Sequence, residues 1–463
     1  MTPAPGGRAG SRFRLQDLGM AWVLLALGAL FSALTWSEQE PAGAAAAAGV
    51  ADDVLGTAPR PRVLVAVRDL PEEAAFAERL AERLRAGGAD VVEVVTGEPK
   101  DARAALVRAA AAAPPGIDAI AGSAASAAWG VFADVAADFP ALGSPAVVRP
   151  RPYRWPNFLK AENLLNIANQ IAVIAILAVG MTLVILTGGI DLSVGSIIAL
   201  ASVVTALVVR DRFGGVEAGT SGMALAGLAG VGVGALCGAV SGGVIVGFGI
   251  PPFIATLAMM LVAGGTASML SQGQSVYQLP DAFLWLGRGA DLFGIPNAVA
   301  LTLLLYGLAH FAMTRMTFGR FVLAVGGNRE AARLSGVPVA GTLLAAYVLS
   351  GALAALGGVV MASQLKSGSP NFGQMYELSV IAAVVVGGTS LSGGEGSMIG
   401  TLVGALVIAV IQNGMNLLGI ESYTQRVVLG LVILGAVLLD RLRPREARGR
   451  PAGITTSTPR SPG

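Results

Sequence analysis

From about residue 157 to residue 440 the chain is a succession of apolar runs near twenty residues long, separated by short polar or glycine-rich breaks. Few folds accept that pattern. A helix rises 1.5 Å per residue, so about 20 apolar residues cross the ~30 Å hydrocarbon layer of a bilayer. The runs fall at 169–187, 194–210, 222–247, 252–272, 296–315, 339–362, 377–391, 397–418 and 424–440, with a further one at 18–36. Charged residues make up 13% of the chain, about half the ~25% of soluble domains. The expectation is an all-α polytopic membrane bundle of about ten transmembrane helices, with a small α/β domain inserted after the first.

Basic clusters orient the spans, because cytoplasmic flanks carry the excess of Arg and Lys. Arg8, Arg12 and Arg14 precede the first run, and Glu38 and Glu40 follow it. Arg320, Arg329 and Arg333 fall in the stretch 316–338, read as a cytoplasmic loop, and Arg441, Arg443, Arg445, Arg448 and Arg450 follow the last run. All agree on cytoplasmic residues 1–17 and 441–463, with 37–150 outside. A cleaved signal peptide shares the basic start and apolar run. No small-x-small site closes the run at Leu34-Thr35-Trp36, although the alanine tract 44–48 offers one. The first span is therefore read as retained.

Residues 37–150 hold more than half of the 29 acidic residues. After a low-complexity linker at 41–59 the hydrophobic period changes. Arg62 to Val67 reads as a buried strand, Pro71 to Ala86 as an amphipathic helix burying Phe76, Leu80 and Leu84, and Val91 to Val95 as a second strand. A helix at 101–113, a strand at 117–121 and a helix at 123–137 follow. Such alternation implies a small parallel sheet, flavodoxin-like or half of a binding protein. Gly122-Ser123 lies where parallel sheets place ligands; an ordinary turn capped by Ser123 explains it as well.

Composition excludes several functions. Lys100, Lys160 and Lys366 are the only lysines, none preceded by glycine, so no GxxxxGK[ST] phosphate loop exists. The single cysteine, Cys237, closes no intrachain disulfide, and the single histidine, His310, builds no His-rich metal site. No basic surface for nucleic acid is visible, and no run has the repeated acids of a proton- or sodium-coupled pump.

Within the bundle, Gly230, Gly234, Gly238 and Gly242 recur every four residues and form a ridge for close helix packing; Gly400 and Gly404 repeat the device. An Asp at a helix centre costs about 2.5–3.5 kcal/mol on insertion scales, so Asp191 needs a reason. It sits in Gly188-Gly189-Ile190-Asp191-Leu192-Ser193-Val194-Gly195-Ser196, a helix break. A related GG-x-x-LS recurs in Gly387-Gly388-Thr389-Ser390-Leu391-Ser392. Asp191 reads equally as a helix N-cap or as part of a pore. Ser193, Ser196, Thr389, Ser390, Asn413 and Asn416 are the other candidates for a translocation path.

Ala178-Val179-Gly180-Met181-Thr182-Leu183-Val184-Ile185-Leu186-Thr187 with the break after it resembles the permease subunits of ribose/xylose/galactose-type ABC sugar importers. So do Pro252-Phe253-Ile254-Ala255-Thr256-Leu257, Ala324-Val325-Gly326-Gly327-Asn328, Val386-Gly387-Gly388-Thr389 and Gln412-Asn413-Gly414-Met415-Asn416. The resemblance covers about 157–440; the 37–150 segment departs from it. It implies a permease in the bacterial inner membrane, acting as a homodimer or with a paralogue and importing a monosaccharide or similar small polar solute. A cytoplasmic nucleotide-binding ATPase would carry the ATP and magnesium, an extracytoplasmic solute-binding protein would deliver the solute, and this chain would bind no cofactor. It also implies that Gly327, Asn328, Glu330, Ala331, Arg333, Leu334, Ser335 and Gly336 form the helix that docks on the ATPase. A self-contained facilitator or channel, and a membrane sensor using 37–150, are the competing readings.

Overall fold

The computed structural model describes residues 15–112 and 116–442, in two compact units: residues 36–157, and the remainder. The basic residues at 8, 12 and 14 and those beyond 442 lie outside the described residues.

The larger unit is helical. Its elements are α1 (Leu15–Leu34), α7 (Ala161–Leu186), α8 (Val194–Arg212), α9 (Thr220–Phe248), α10 (Pro252–Ser271), α11 (Trp285–Arg288), α12 (Asn297–Arg315), α13 (Thr317–Gly327), α14 (Arg329–Leu334), α15 (Val339–Leu365), α16 (Tyr376–Val386), α17 (Met398–Leu417) and α18 (Ser422–Leu442), the helices between α1 and α7 belonging to the smaller unit. Among the described residues seven helices, α7 to α10, α12, α15 and α17, are long and apolar enough to cross a membrane. This is an integral membrane bundle. The long α15 sits against α7, α8 and α9, and its partner α7 is the most deeply buried of the seven apolar helices.

Glycine sets the closest of these contacts. A Cβ on Gly234 would strike Ala355 and the carbonyl of Gly351, and one on Gly238 would strike the Tyr347 backbone, all on α15. Gly230 and Gly242 complete the ridge, against Thr205 of α8 and against Leu344 and Tyr347 of α15. Cys237 beside it is half-buried, and so is His310 near the end of α12.

Two parts of the bundle differ from the expectation. The apolar stretch 377–391 is helical only as far as Val386; 11 residues reach about 16 Å, and the glycine pair after it turns the chain. The stretch 316–338, read as a loop, contains two helices, because Gly319, Val322 and Val325 recur on one face of α13 and are buried.

The smaller unit begins with β1 (Trp36–Gln39), which pairs antiparallel with β6 (Tyr153–Pro156), Trp36 opposite Pro156. Between them run α2 (Gly43–Leu55), β2 (Arg62–Val67), α3 (Pro71–Ala86), β3 (Asp90–Thr96), α4 (Pro99–Ala111), β4 (Ala119–Gly122), α5 (Ala124–Ala127), α6 (Val135–Asp138) and β5 (Ala146–Val148). The sheet is parallel, in the order β3-β2-β4-β5. Val63, Val65 and Val67 enter the core shared with α2 and α3, while Leu64 and Ala66 enter the core shared with α4. Both faces are covered, which is why β2 is an unbroken apolar run.

The stretch 41–59, expected as a linker, is largely α2. Alanine is the best helix former, and Ala46, Ala47, Val50, Ala51 and Val54 are buried on one face. The single helix expected at 123–137 is instead α5, a 3-10 turn and α6, because Trp129 and Phe132 stack on each other (5.9 Å) and join the core. Where the chain leaves and rejoins the bundle, the N–H of Phe158 donates to Thr35 Oγ1 (3.1 Å), and the Phe31 and Phe158 rings stack at 6.1 Å.

Candidate translocation and coupling site

The polar residues of the bundle gather where its helices are interrupted. At the end of α7 the N–H groups of Thr187, Gly188 and Gly189 close back on Leu183, Val184 and Ile185, and the chain then runs without helical bonds to α8. Asp191, 1% exposed, lies in this run. Its Oδ1 accepts from the N–H (3.0 Å) and hydroxyl (2.6 Å) of Ser193, and its Oδ2 from the hydroxyl of Ser350 (2.8 Å). The cap of α8 is Ser193, not Asp191, whose carboxylate bonds one residue outside the helix. Asp191 is thus a tie between the break and α15. Ser350 lies eleven residues into α15, about 16 Å from its start at 1.5 Å per residue. Non-helical backbone at such depth is tolerated where protein surrounds it.

The second break, 387–397, lies against the first. The N–H of Gly394 donates to the carbonyl of Leu186 (2.9 Å), the last residue of α7. Gly393 and Gly394 have φ +83 and +77, a region open to glycine at little cost. A Cβ on Gly393 would lie 2.9 Å from Gly188 N and 3.0 Å from Gly326 O. Gly326, near the end of α13, has no room either: a Cβ there would overlap the Leu186 carbonyl. Three segments, the two breaks and α13, therefore cross backbone to backbone.

α14 starts directly after this crossing. Asn328 caps it, accepting from the N–H of Ala331 (3.0 Å), and Gly327 is the last residue of α13. Glu330 and Arg333 pair on the exposed surface (2.5 Å), and Leu334 is also exposed. Ser335 ends the helix, its hydroxyl donating to the Ala331 carbonyl (2.8 Å), and Gly336 follows with φ +80. Arg329, the first residue, reaches back to donate to the Thr187 carbonyl (3.2 Å). The short helix is bonded to the first break and follows directly on Gly326 and Gly327, which meet the second.

The other candidates divide. Ser196 is half-buried at the start of α8, close to Gly264 of α10. Thr389 is buried under Gly396, and Ser390 closes the second break, its N–H donating to the Glu395 carbonyl (2.9 Å). Asn413 and Asn416 do not join them. Asn413 lies fifteen residues into α17, about 22 Å from the second break. There its amide pairs reciprocally with that of Asn163 on α7 (2.9 and 3.0 Å). Asn416 is exposed and accepts from Gln425 (2.7 Å). These two sit toward the Phe158 end of the bundle, since Asn163 also donates to the Phe158 carbonyl (2.9 Å). Tyr347, Ser350 and Arg329 went unselected from sequence. Tyr347 and Ser350 are polar groups three apart in an apolar helix, a pattern that marks them for attention. Tyr347 is fully buried, and its hydroxyl abuts Gly189 of the first break.

Among the described residues no group of three or more His, Cys, Asp or Glu is placed to hold a metal ion. Arg329, through its bond to Thr187, and the glycine crossing connect α14 to the break that Asp191 anchors.

Comparison with known proteins agrees on one family. The chain is 44% identical over 289 residues to the ribose import permease protein RbsC of Escherichia coli strain K12, covering 62% of this chain and 87% of the relative. It is 44% identical over 288 residues to RbsC of Bacillus subtilis strain 168, with the same coverage. It is 40% identical over 296 residues to the L-arabinose transport system permease protein AraH of E. coli K12, covering 63% of this chain and 87% of the relative. No solved structure matches the chain. The family described as the branched-chain amino acid transport system / permease component matches residues 163–437, and the chain belongs to it.

Proposed function

We propose that this protein is the permease subunit of an ATP-binding cassette importer that moves a monosaccharide into the cytoplasm by alternating access. The observation that carries this reading is the 40–44% identity to ribose and L-arabinose permeases. The protein is a transport subunit and not an enzyme. Two copies, or one with a paralogue, form the path; a separate ATPase subunit hydrolyses ATP, and an extracytoplasmic binding protein delivers the sugar.

In this reading α1, α18 and the half-length α16, whose crossing is completed by the break 387–397, join the seven long helices to give ten spans, with both chain ends cytoplasmic and residues 37–150 outside. The helix α14 docks on the ATPase with Glu330, Arg333 and Leu334 exposed. Closure of the ATPase moves α14, and the shift passes to the breaks at Leu186–Ser193 and Gly387–Ser397. The first break, held by Asp191 to Ser193 and Ser350, carries the movement toward the middle of α15. Sugar and ATPase drive this two-state change only through their different affinities for its two states.

Reconstitution into vesicles tests the proposal. With its ATPase and binding protein, the chain accumulates one monosaccharide when ATP is supplied. Alone it accumulates none, and accumulation by the isolated chain would refute the reading.

A further inference from the structure

The 36–157 unit contains a cavity that the transport reading leaves unused. Its sheet has the order β3-β2-β4-β5, so the chain leaves β2 for β3 on one side and returns to β4 on the other. Between β2 and β4 the crossovers diverge, and the carboxyl ends of strands at such a switch point are where open parallel sheets bind ligands. A cavity of about 440 Å³ lies there, within the ~300–1,000 Å³ usual for small-molecule sites. Arg68, directly after β2, and Ser123, directly after β4, both line it, with Glu40, Glu72, Glu73 and Phe76.

The bonding divides these groups into supports and presented groups. Glu73, 7% exposed, accepts from Arg68 Nε (2.6 Å) and Nη2 (2.5 Å) on one oxygen. Its other oxygen accepts from the Arg68 N–H (2.8 Å) and the Ser123 hydroxyl (2.9 Å). Those four bonds use the acceptor sites of a carboxylate, so Glu73 acts as a brace that fixes the Arg68 guanidinium. Arg68 itself stays half-exposed, with the rest of its donor fork available. The starts of α2 and α3 also border the cavity, and their cap residues, Ala42 and Leu70, give no side-chain cap. Their first-turn N–H groups are further donors. Against these donors stand the exposed carboxylates of Glu40 and Glu72.

Charge decides the class of ligand. The positive charge of Arg68 is already balanced by Glu73, and an anion would meet Glu40 and Glu72. A cation would meet Arg68 and the positive ends of two helices. A neutral ligand whose hydroxyls both donate and accept satisfies donors and carboxylates together. We infer that the 36–157 unit carries its own binding site for a neutral polyhydroxylated solute of monosaccharide size, at the carboxyl ends of β2 and β4. The inference rests on this cavity and not on the transport reading.

The full chain in lipid nanodiscs, without ATPase or binding protein, is titrated calorimetrically with D-ribose, L-arabinose, D-xylose and D-galactose, and with inorganic phosphate. At least one sugar is expected to bind saturably, with protection from hydrogen exchange at 40–43, 68–73 and 122–125. Arg68→Gln should weaken that binding at least tenfold. Glu72→Gln, outside the Arg68–Glu73 brace and harmless to folding, should weaken it about threefold. Binding of phosphate in place of sugar, absence of sugar binding, unchanged affinity in both variants, or protection confined to the bundle would each overturn the inference. With no ATPase present, none of these outcomes depends on whether the bundle transports.

Discussion

Glycine does opposite things in the two units of this protein. In the bundle it is a contact surface: Gly234, Gly238, Gly351, Gly358 and Gly404 each leave no space for a methyl group before a neighbouring backbone. In the 36–157 unit Gly88, Gly116, Gly130 and Gly143 face open space, and the interior is filled by Val, Leu, Ile, Ala and Phe from sheet and helices. The difference follows from the surroundings. Lipid tails are as apolar as a leucine side chain, so helices in a bilayer gain by fitting closely rather than by escaping water. A unit surrounded by water gains from removing apolar area from it. One residue type thus makes the helix seams of one unit, while in the other these four positions lie open at its surface.

The sharpest way to break that contrast is to place side chains on both kinds of glycine. Gly238→Leu drives a side chain into the α15 backbone and should cost about 3 kcal/mol, at the upper end for overpacking, read as loss of folded protein on size exclusion. Gly130→Ala should stay within about 0.5 kcal/mol, as exposed substitutions usually do. Ser350→Ala removes one of three donors to buried Asp191 and should cost about 1–3 kcal/mol, measured as a lower thermal midpoint in detergent.

A smaller effect separates the units by pH. Burial raises the Glu73 pKa, but the side-chain and backbone bonds from Arg68, the Ser123 bond and the Arg68 charge together outweigh it and hold the group below its ordinary value of 4.5. A depressed carboxylate stabilises above its unfolded pKa and loses that contribution as pH falls through the folded value. Protection from hydrogen exchange in the 36–157 unit, taken relative to the intrinsic amide rate at each pH, should therefore fall below about pH 4.5, and Glu73→Gln should flatten that dependence. Arg333→Ala should also have little effect on stability. Its pair with Glu330 is exposed, so stability should change by less than about 1 kcal/mol. The loss should show instead in ATPase stimulation, at least fivefold; normal stimulation in both Arg333→Ala and Glu330→Ala would count against docking through α14.

Periodicity made much of this legible. The apolar face of α3, the buried strand at β2 and the four-residue glycine ridge of α9 are each written in one local stretch of sequence. What sequence hid was set by partners far along the chain. Nothing near Ser350 announces that it bonds Asp191, 159 positions earlier. The alanine tract reads as filler until α3 is packed on it, although its helix propensity was visible. The pairing of β1 with β6 joins segments more than a hundred residues apart, and neither has a strong strand pattern alone. The separation of Asn413 from Asp191 was hidden for a related reason: composition marks polar residues in an apolar run but not their depth along a helix.

The bond between Phe158 and Thr35, with Trp36 opposite Pro156 just beyond it, has an evolutionary consequence. The two points where the chain departs from and returns to the bundle are immediate neighbours, so everything between them can be gained or discarded in one genetic splice. A transporter lineage could acquire such a cassette, or shed it, while its membrane-embedded helices kept their register.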